Sequence, residues 1–212
     1  MPLLTTAMLY LAKTPALIRW LNPHAIWRIP TTEKVLYLTF DDGPIPEVTP
    51  WVLDTLREAG AKGTFFCVGD NVRKYPDLYE RICLEGHATG NHTFNHLNGW
   101  RTPDAVYLDN VAQCAGLVSS NLFRPPYGRV RAAQSAVLRR TYKIVMWNVL
   151  SGDFDPGISS EKCLRHVVAN AKSGSVVVLH DSLKANKHLR FVLPRALAYF
   201  SGQGYRFEPI VL

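Results

Sequence analysis

The sequence predicts an α/β fold with a parallel sheet and helices outside it. Short apolar runs alternate with amphipathic stretches about seven times along the 212 residues, which is typical of repeated β-α units. The runs, such as residues 175–179 (SVVVL), are almost continuously apolar, as strands buried on both faces are. Such a series can close into a barrel or stay open and doubly wound, and periodicity alone does not decide between the two.

The strands are predicted where β-branched, aromatic and other apolar residues form short runs. The first run, KVLYLTF, is bounded by polar residues, and each later run follows a glycine or a polar segment that ends the preceding helix. In chain order, the predicted strands cover residues 34–40, 63–68, 87–91, 121–124, 142–149, 175–179 and 205–209.

The helices between these strands are predicted from their start and stop signals. Thr49-Pro50 and Thr102-Pro103 each place a threonine at the N-cap and a proline at the first helical position. Ser159 or Ser160 caps a later helix, and Gly60 and Gly86 end two of the earlier ones. In chain order, the predicted helices cover residues 50–60, 76–85, 103–119, 131–140, 159–172 and 186–200.

Composition favours one soluble folded domain. Apolar residues make up 47% and charged residues 19%, which excludes a disordered chain. The net charge of +7 favours anionic partners or serves solubility alone. Because no run of five like charges occurs, and no basic stripe interleaved with aromatic residues, we expect no nucleic-acid partner. The sequence does not predict an oligomeric state.

The N-terminal segment is apolar but interrupted. Lys13, Pro15 and Arg19 break the apolar stretch of residues 3–21, so it falls short of the roughly 20 residues of a membrane span. It also lacks the basic start of a signal peptide. We expect a short helix that packs on the domain or lies on a membrane surface. A cytoplasmic location and association with a membrane or cell wall both stay open.

The cysteines do not form a redox or metal motif. Cys67, Cys83, Cys114 and Cys163 contain no Cys-x-x-Cys pair. Cys67 falls in an apolar run and the other three in predicted helices, so free thiols are expected, although spacing alone does not exclude a disulfide.

Ionisable residues follow several of the predicted strands directly. Ligand sites of parallel α/β folds lie at the carboxyl ends of the strands, which meet at one rim. We therefore expect the following residues to gather there and form a catalytic site: Asp41, Asp42, His92, His96, Arg124, Asp153 and His180.

The sequence Asp41-Asp42-Gly43-Pro44 places two carboxylates at the end of an apolar strand. Adjacent carboxylates are costly there unless a cation neutralises them. Because neighbouring side chains on an extended segment point in different directions, one could bind a metal while the other faces a substrate or a cation. The alternative is a simple turn, since Asp, Gly and Pro are turn formers.

His92 and His96 are four residues apart. On a helical turn this spacing places both imidazoles on one face, within reach of one metal. Together with one aspartate they would leave positions open for water and substrate, as a catalytic zinc site requires. The alternative is a pair of polar histidines in a surface loop.

Two further motifs could complete the site. Residues 124–128 (RPPYG) form a rigid loop, in which Arg124 could pair with an aspartate and the amide of Tyr127 could face a ligand. His180 ends an apolar strand and could act as a general acid, oriented by Asp153 or Asp155. The alternatives are a structural turn and a buried, hydrogen-bonded histidine.

These motifs together resemble the polysaccharide deacetylases, which share the NodB homology domain and form carbohydrate esterase family four. The resemblance is carried by residues 39–44 (TFDDGP), by His92-x-x-x-His96, by residues 124–128 and by Leu179-His180, in the family's order. It covers residues 30–212 and leaves residues 1–29 as an N-terminal extension. It implies a distorted (β/α) barrel of about seven parallel strands.

The resemblance also implies roles for individual residues. Asp42, His92 and His96 would bind one divalent metal, most often Zn²⁺, with Co²⁺, Ni²⁺ or Mn²⁺ as alternatives. Asp41 would be the base, tethered by Arg124, and His180 the acid, partnered by Asp153. The residues implied to contact the substrate are Pro125, Tyr127, Trp147 and Leu179.

The implied activity is removal of N-acetyl groups from N-acetylglucosamine residues of a polysaccharide or oligosaccharide, such as peptidoglycan or chitin. The alternatives are an O-acetyl esterase acting on acetylated xylan and a glycan-binding protein without catalysis. One position departs from the family's pattern, because Asp153 is followed by Phe154 and not by the usual tryptophan. This departure changes the surface expected to face the substrate, whereas the carboxylate of Asp153 is retained.

Overall fold

A computed structural model describes residues 11–212 and confirms the predicted α/β fold. The first ten residues of the predicted N-terminal extension lie outside the described residues. The strands are β1 Val35–Asp41, β2 Thr64–Cys67, β3 Ala88–Asn91, β4 Leu122–Phe123, β5 Lys143–Ile144, β6 Val149–Leu150, β7 Val176–His180 and β8 Arg206–Phe207. The helices are α1 Ala16–Leu21, α2 Thr49–Glu58, α3 Gly69–Lys74, α4 Pro76–Leu84, α5 Asp104–Ala115, α6 Ala132–Leu138, α7 Ser160–Asn170 and α8 Asn186–Ser201.

The strands form one parallel sheet in the order β5-β4-β3-β2-β1-β7-β6, and β8 pairs with the start of β1. The single strand predicted over residues 142–149 is wrong, because it divides into β5 and β6 at opposite ends of this order. Val145 N–H donates to Phe123 O in β4, whereas Asn148 N–H donates to Val176 O in β7. One extended segment therefore reaches both edges and curls the sheet into the expected distorted barrel.

Apolar side chains on both faces of the sheet explain why the strands are continuously apolar. Leu38, Phe40, Phe65 and Leu179 are at most 1% exposed, and the rings of Phe40 and Phe65 stack at 4.9 Å. Burying a side chain of this size stabilises the fold by roughly 1.5–3 kcal/mol. The helices α2, α7 and α8 supply the facing apolar side chains, among them Val167.

Helix boundaries differ from the predictions where polar side chains have other partners. Thr49 is the first residue of α2 and not its N-cap, because its hydroxyl accepts from Ile45 N–H and donates to Asp181. Helix α5 ends at Ala115, earlier than predicted, and the short helix α3 was not predicted. Ser159 is the N-cap of α7, as predicted, and accepts from Lys162 N–H at 3.2 Å.

The described part of the N-terminal extension lies across the seam between β5 and β6. Thr14 Oγ donates to Trp147 O at 2.8 Å, and Ile26 N–H donates to Ile144 O at 2.8 Å. Between these contacts α1 has no buried residue. Within residues 11–212, no helix is both long enough and apolar enough to cross a bilayer. All four cysteines are free thiols, as expected.

Candidate active site

The ionisable residues predicted to gather at the carboxyl rim do so. Asp41 is the last residue of β1, and its register partners are Phe66 in β2 and His180 in β7. His92 directly follows β3, and Arg124 directly follows β4. Because parallel strands in register end at the same edge, one rim holds side chains from strands far apart in sequence.

Asp42, His92 and His96 form a cluster with the donor set of a metal site. Asp42 Oδ1 lies 3.1 Å from His96 Nε2 and 3.8 Å from His92 Nε2, and one ligand atom of each residue lies within 4.8 Å of the others. His92 Nδ1 lies 2.7 Å from Arg124 O, and with its proton there the Nε2 lone pair faces Asp42. Metal-binding histidines usually have such a carbonyl partner, so these three residues fit a divalent cation.

The protonation states in this cluster also suit a cation. Burial lowers the pKa of His92 to about 4, despite the opposing charge of Asp41, so its imidazole is neutral at pH 7. Burial alone would raise the pKa of Asp42, but the hydrogen bond from His96 and the charges of the nearby histidines outweigh it and hold that pKa well below its usual value. A neutral imidazole beside an ionised carboxylate is the form in which both groups bind metals.

The two histidines do not lie on a helical turn, the case in which their spacing would place them on one face, because residues 92–96 form a loop. Asn110 on α5 holds this loop: its Oδ1 accepts from the N–H groups of Phe94 and Asn95 at 2.9 Å each. The loop still directs both imidazoles to Asp42.

Left-handed backbone at residues other than glycine is concentrated at the rim. Within residues 11–212, the non-glycine residues with positive φ are Asp42, Thr93, His96 and Tyr127, with φ of 83°, 63°, 55° and 61°. A non-glycine residue in this region costs about 1 kcal/mol or more. All four lie in the site or beside one of its histidines, so the fold holds strained backbone where the candidate chemistry is.

Asp41 is paired with Arg124, as the sequence suggested. Arg124 Nη1 donates to Asp41 Oδ1 and to Thr39 Oγ1, at 2.7 Å each. The same guanidinium donates to the carbonyls of Val145 and Met146 at 3.0 Å. Four hydrogen bonds therefore hold the fully buried guanidinium of Arg124 in place. The guanidinium in turn fixes the position of the Asp41 carboxylate.

His180 is partnered by Asp153 and not by Asp155. Nδ1 of His180 lies 2.8 Å from Asp153 Oδ1, and the His180 N–H donates to Asp153 Oδ2 at 2.8 Å. Ser151 Oγ donates to the same carboxylate at 2.9 Å. Burial would lower the pKa of His180, but the charge and hydrogen bond of Asp153 raise it to about 9. His180 is therefore protonated at neutral pH. Phe154 packs edge-on against its ring, with centroids 5.2 Å apart.

The remaining predicted residues lie around this group. The Tyr127 ring is exposed and meets the His96 ring edge-on at 4.7 Å. Trp147 lies 5.8 Å from the Arg124 guanidinium carbon. Leu179 and Pro125 are buried beside the rim, Leu179 within the main apolar core. The roles implied for these four residues stay predictions.

Sequence reasoning missed Asp181, which supports the loop that follows Asp42. Its carboxylate accepts from Gly43 N–H at 3.1 Å and from Thr49 Oγ at 2.6 Å, and a Cβ on Gly43 would lie 2.0 Å from Asp181 Oδ2. Burial raises the pKa of Asp181 to about 8. Asn71 Nδ2 donates to Asp42 O at 2.8 Å and completes the support. The signal in the sequence was an acidic residue directly after His180.

Comparison with known proteins gives a consistent result. The model of the family described as polysaccharide deacetylase matches residues 28–143. A peptidoglycan-N-acetylglucosamine deacetylase of Bacillus cereus is 36% identical over 196 residues, which cover 88% of this chain and 91% of the relative. A chitooligosaccharide deacetylase of Azorhizobium caulinodans is 37% identical over 210 residues, covering 86% of this chain and 96% of the relative.

A solved structure has the same fold. The crystal structure of the peptidoglycan N-acetylglucosamine deacetylase Bc1960, in complex with an N-hydroxybenzamide compound, superposes with a TM-score of 0.82 at 29% identity. The match covers 93% of this chain and 95% of that protein, so the likeness extends over nearly the whole length of both.

Proposed function

The chain belongs to the polysaccharide deacetylase family, and we propose that it hydrolyses the N-acetyl groups of N-acetylglucosamine residues in a peptidoglycan-like or chitin-like glycan. One observation carries the proposal: a candidate metal cluster, an arginine-paired aspartate and an aspartate-paired histidine share one rim. The names of the relatives support the substrate class, since they are deacetylases of peptidoglycan or chitooligosaccharide.

Asp42, His92 and His96 would hold the divalent metal. Their one carboxylate and two imidazoles suit Zn²⁺ and leave coordination positions for ligands from outside the protein. When bound, the ion would polarise the acetamide carbonyl and lower the pKa of water. His92 already has the form that binds a metal, because its Nδ1 is hydrogen-bonded to Arg124 O and its imidazole is neutral.

Asp41 acts as the general base in this proposal. Adjacent to Asp42 in sequence, it lies outside the candidate metal cluster and accepts a hydrogen bond from Arg124 at 2.7 Å. It takes the proton of the water whose oxygen forms the new bond to the acetamide carbon. A positioned base contributes typically about 10²–10⁴-fold to the rate.

His180 supplies the proton that the leaving nitrogen takes up. The carbon–nitrogen bond breaks, and the leaving nitrogen takes a proton from the imidazolium to become a free amine. Asp153 keeps that proton on His180 and orients the ring through Nδ1, so Nε2 is the donating atom. The backbone N–H of Tyr127 is proposed to stabilise the oxygen of the reacting carbonyl, a contribution of about 3–4 kcal/mol for typical donors of this kind.

Acetate release from a substrate panel tests the proposal. The panel holds N-acetylglucosamine oligomers, peptidoglycan fragments and acetylated xylan, each with added zinc and after chelation. We expect release from the N-acetylated substrates, loss on chelation and recovery with zinc. Asp77→Asn, an exposed acid on α4, is the control for Asp42→Asn, which should be inactive. Release from xylan alone would indicate the O-acetyl esterase, and glycan binding without release would indicate a non-catalytic protein.

A further inference from the structure

A large cavity lies between the N-terminal extension and the barrel, next to the candidate active site. It measures ≈ 760 Å³ and is called here the N-terminal groove. Ile18, Leu21 and Trp27 line it on the side of the extension, and Trp100 and Ser135 line it on the side of the barrel. The extension residues precede residue 28, so this wall lies outside the segment that the family model matches.

The N-terminal groove lies beside the candidate active site. Tyr127 and Trp147 line the groove. The Tyr127 ring is 4.7 Å from the ring of His96, and Trp147 is 5.8 Å from the guanidinium that holds Asp41. The groove therefore begins at a side chain that contacts a residue of the candidate metal cluster.

The lining of the groove suits a sugar. Aromatic rings and aliphatic side chains make up most of it, with a few polar groups, which is the usual composition of a ligand site of this volume. Trp100 is 58% exposed, and the Arg129 guanidinium lies over its ring at 5.2 Å. Flat rings can stack on the C–H faces of a pyranose, and polar edges can bind its hydroxyl groups.

The charge of the lining restricts the ligand further. Arg139 and His24 contribute the basic groups, and none of the described lining residues is an aspartate or glutamate. A lining with basic and no acidic side chains repels cationic polymers and suits neutral or acidic sugars.

We propose that the N-terminal groove binds the sugars that continue the glycan strand beyond the residue being deacetylated. The proposal rests on the proposed function, and it assigns substrate binding to residues 14–27 of the N-terminal extension. The groove would strengthen binding of long substrates and have no contact with short ones.

Turnover of two substrates of different length tests the assignment. The enzyme is assayed with zinc on the disaccharide and the pentasaccharide of N-acetylglucosamine. Trp100→Ala removes an exposed ring from the groove, and Ser135→Trp fills the groove from α6 without removing a core side chain. The matched controls are Trp20→Ala and Ala136→Trp, exposed residues of α1 and α6 that do not line it.

We expect both groove variants to lower kcat/KM for the pentasaccharide about tenfold, mainly through KM, because an aromatic contact of this strength is lost. The disaccharide and both controls should keep wild-type values. Equal losses on both substrates, or none on either, would overturn the assignment. Failure of the wild-type enzyme to release acetate from any oligomer would instead refute the proposed function.

Binding measured without turnover separates these outcomes further. Calorimetry with the pentasaccharide should show weaker binding by Trp100→Ala and Ser135→Trp than by their controls. Sedimentation with phosphatidylglycerol vesicles tests whether the groove instead contacts a membrane surface. If the groove variants lost vesicle binding while pentasaccharide binding was unchanged, the groove would be a membrane contact and the glycan assignment would be wrong.

Discussion

Arg124 donates a 2.7 Å hydrogen bond to the carboxylate of Asp41, and the two side chains are only 0% and 6% exposed. The arginine comes from the end of β4 and the aspartate from the end of β1, so the pair joins strands that are not neighbours in the sheet. Each charge compensates the other, because both side chains are almost fully buried. The pair therefore serves the fold as well as the proposed chemistry.

Arg124→Met should destabilise the protein by about 3–5 kcal/mol, because it leaves the Asp41 charge buried without its partner. Chemical denaturation measures this free energy of unfolding. Adding Asp41→Asn should recover part of the loss, since the uncompensated charge is then removed. A double variant no more stable than Arg124→Met alone would show that the pair does not account for the loss.

Asp41→Asn alone separates chemistry from metal binding. The amide keeps the shape of the carboxylate but cannot take a proton, so we expect kcat to fall about 10²–10⁴-fold while zinc binding is retained. His92→Ala should lose both zinc and turnover, because it removes a proposed ligand. Zinc content by elemental analysis and acetate release measure the two effects. Near-normal turnover of Asp41→Asn would exclude Asp41 as the base.

The charge of Asp153 should set the basic limb of the pH profile. The proposed acid must carry its proton, and the charge and hydrogen bond of Asp153 raise the pKa of His180, so kcat/KM should fall as the pH rises through that pKa. In Asp153→Asn the raising charge is gone and burial lowers the pKa, so the fall should move to lower pH. Asp155→Asn is the matched control and should leave the limb in place.

The comparison between the variants makes this test independent of the metal. A bound cation acts on His180 in the wild-type protein and in both variants alike, so the difference between their profiles reports Asp153. A basic limb that stayed fixed in Asp153→Asn would assign the titration to another group.

The strand-end residues of the site were predictable from sequence, because a position after a buried strand determines which rim a side chain occupies. Asp41, Asp42 and His180 were found this way. The barrel was predicted by the family resemblance and not by the apolar runs, which do not reveal that residues 143–150 leave one sheet edge and join the other. That change depends on hydrogen bonds to β4 and β7, which no local pattern encodes.

The supporting polar residues were harder to predict for a related reason. Asn110 lies on α5 among residues whose spacing predicts a buried helix face. Asp181 directly follows His180, which was itself the candidate at that strand end. Their partners are backbone N–H groups of loops distant in sequence. A buried polar residue signals that some partner exists, but only the folded chain identifies which one.

Asn110→Ala should weaken metal binding without touching a metal ligand. Asn110 Oδ1 accepts from the N–H groups of Phe94 and Asn95, and its Nδ2 donates to Asn95 Oδ1 at 2.8 Å, so this amide holds the loop that carries His96. Loss of a supporting group around a metal site typically costs about 10–100-fold in affinity, and we expect a decrease in that range.

Zinc titration against a competing chelator measures this decrease, and Gln113→Ala provides the control. Gln113 lies on the same helix, but its amide bonds to Asp109 on the exposed face and does not contact the loop. Because both substitutions replace an amide with a methyl group, a general effect on the helix would appear in both. Equal zinc affinity in the two variants would show that the His96 loop keeps its conformation without Asn110, and that the strained backbone at His96 is held by other contacts.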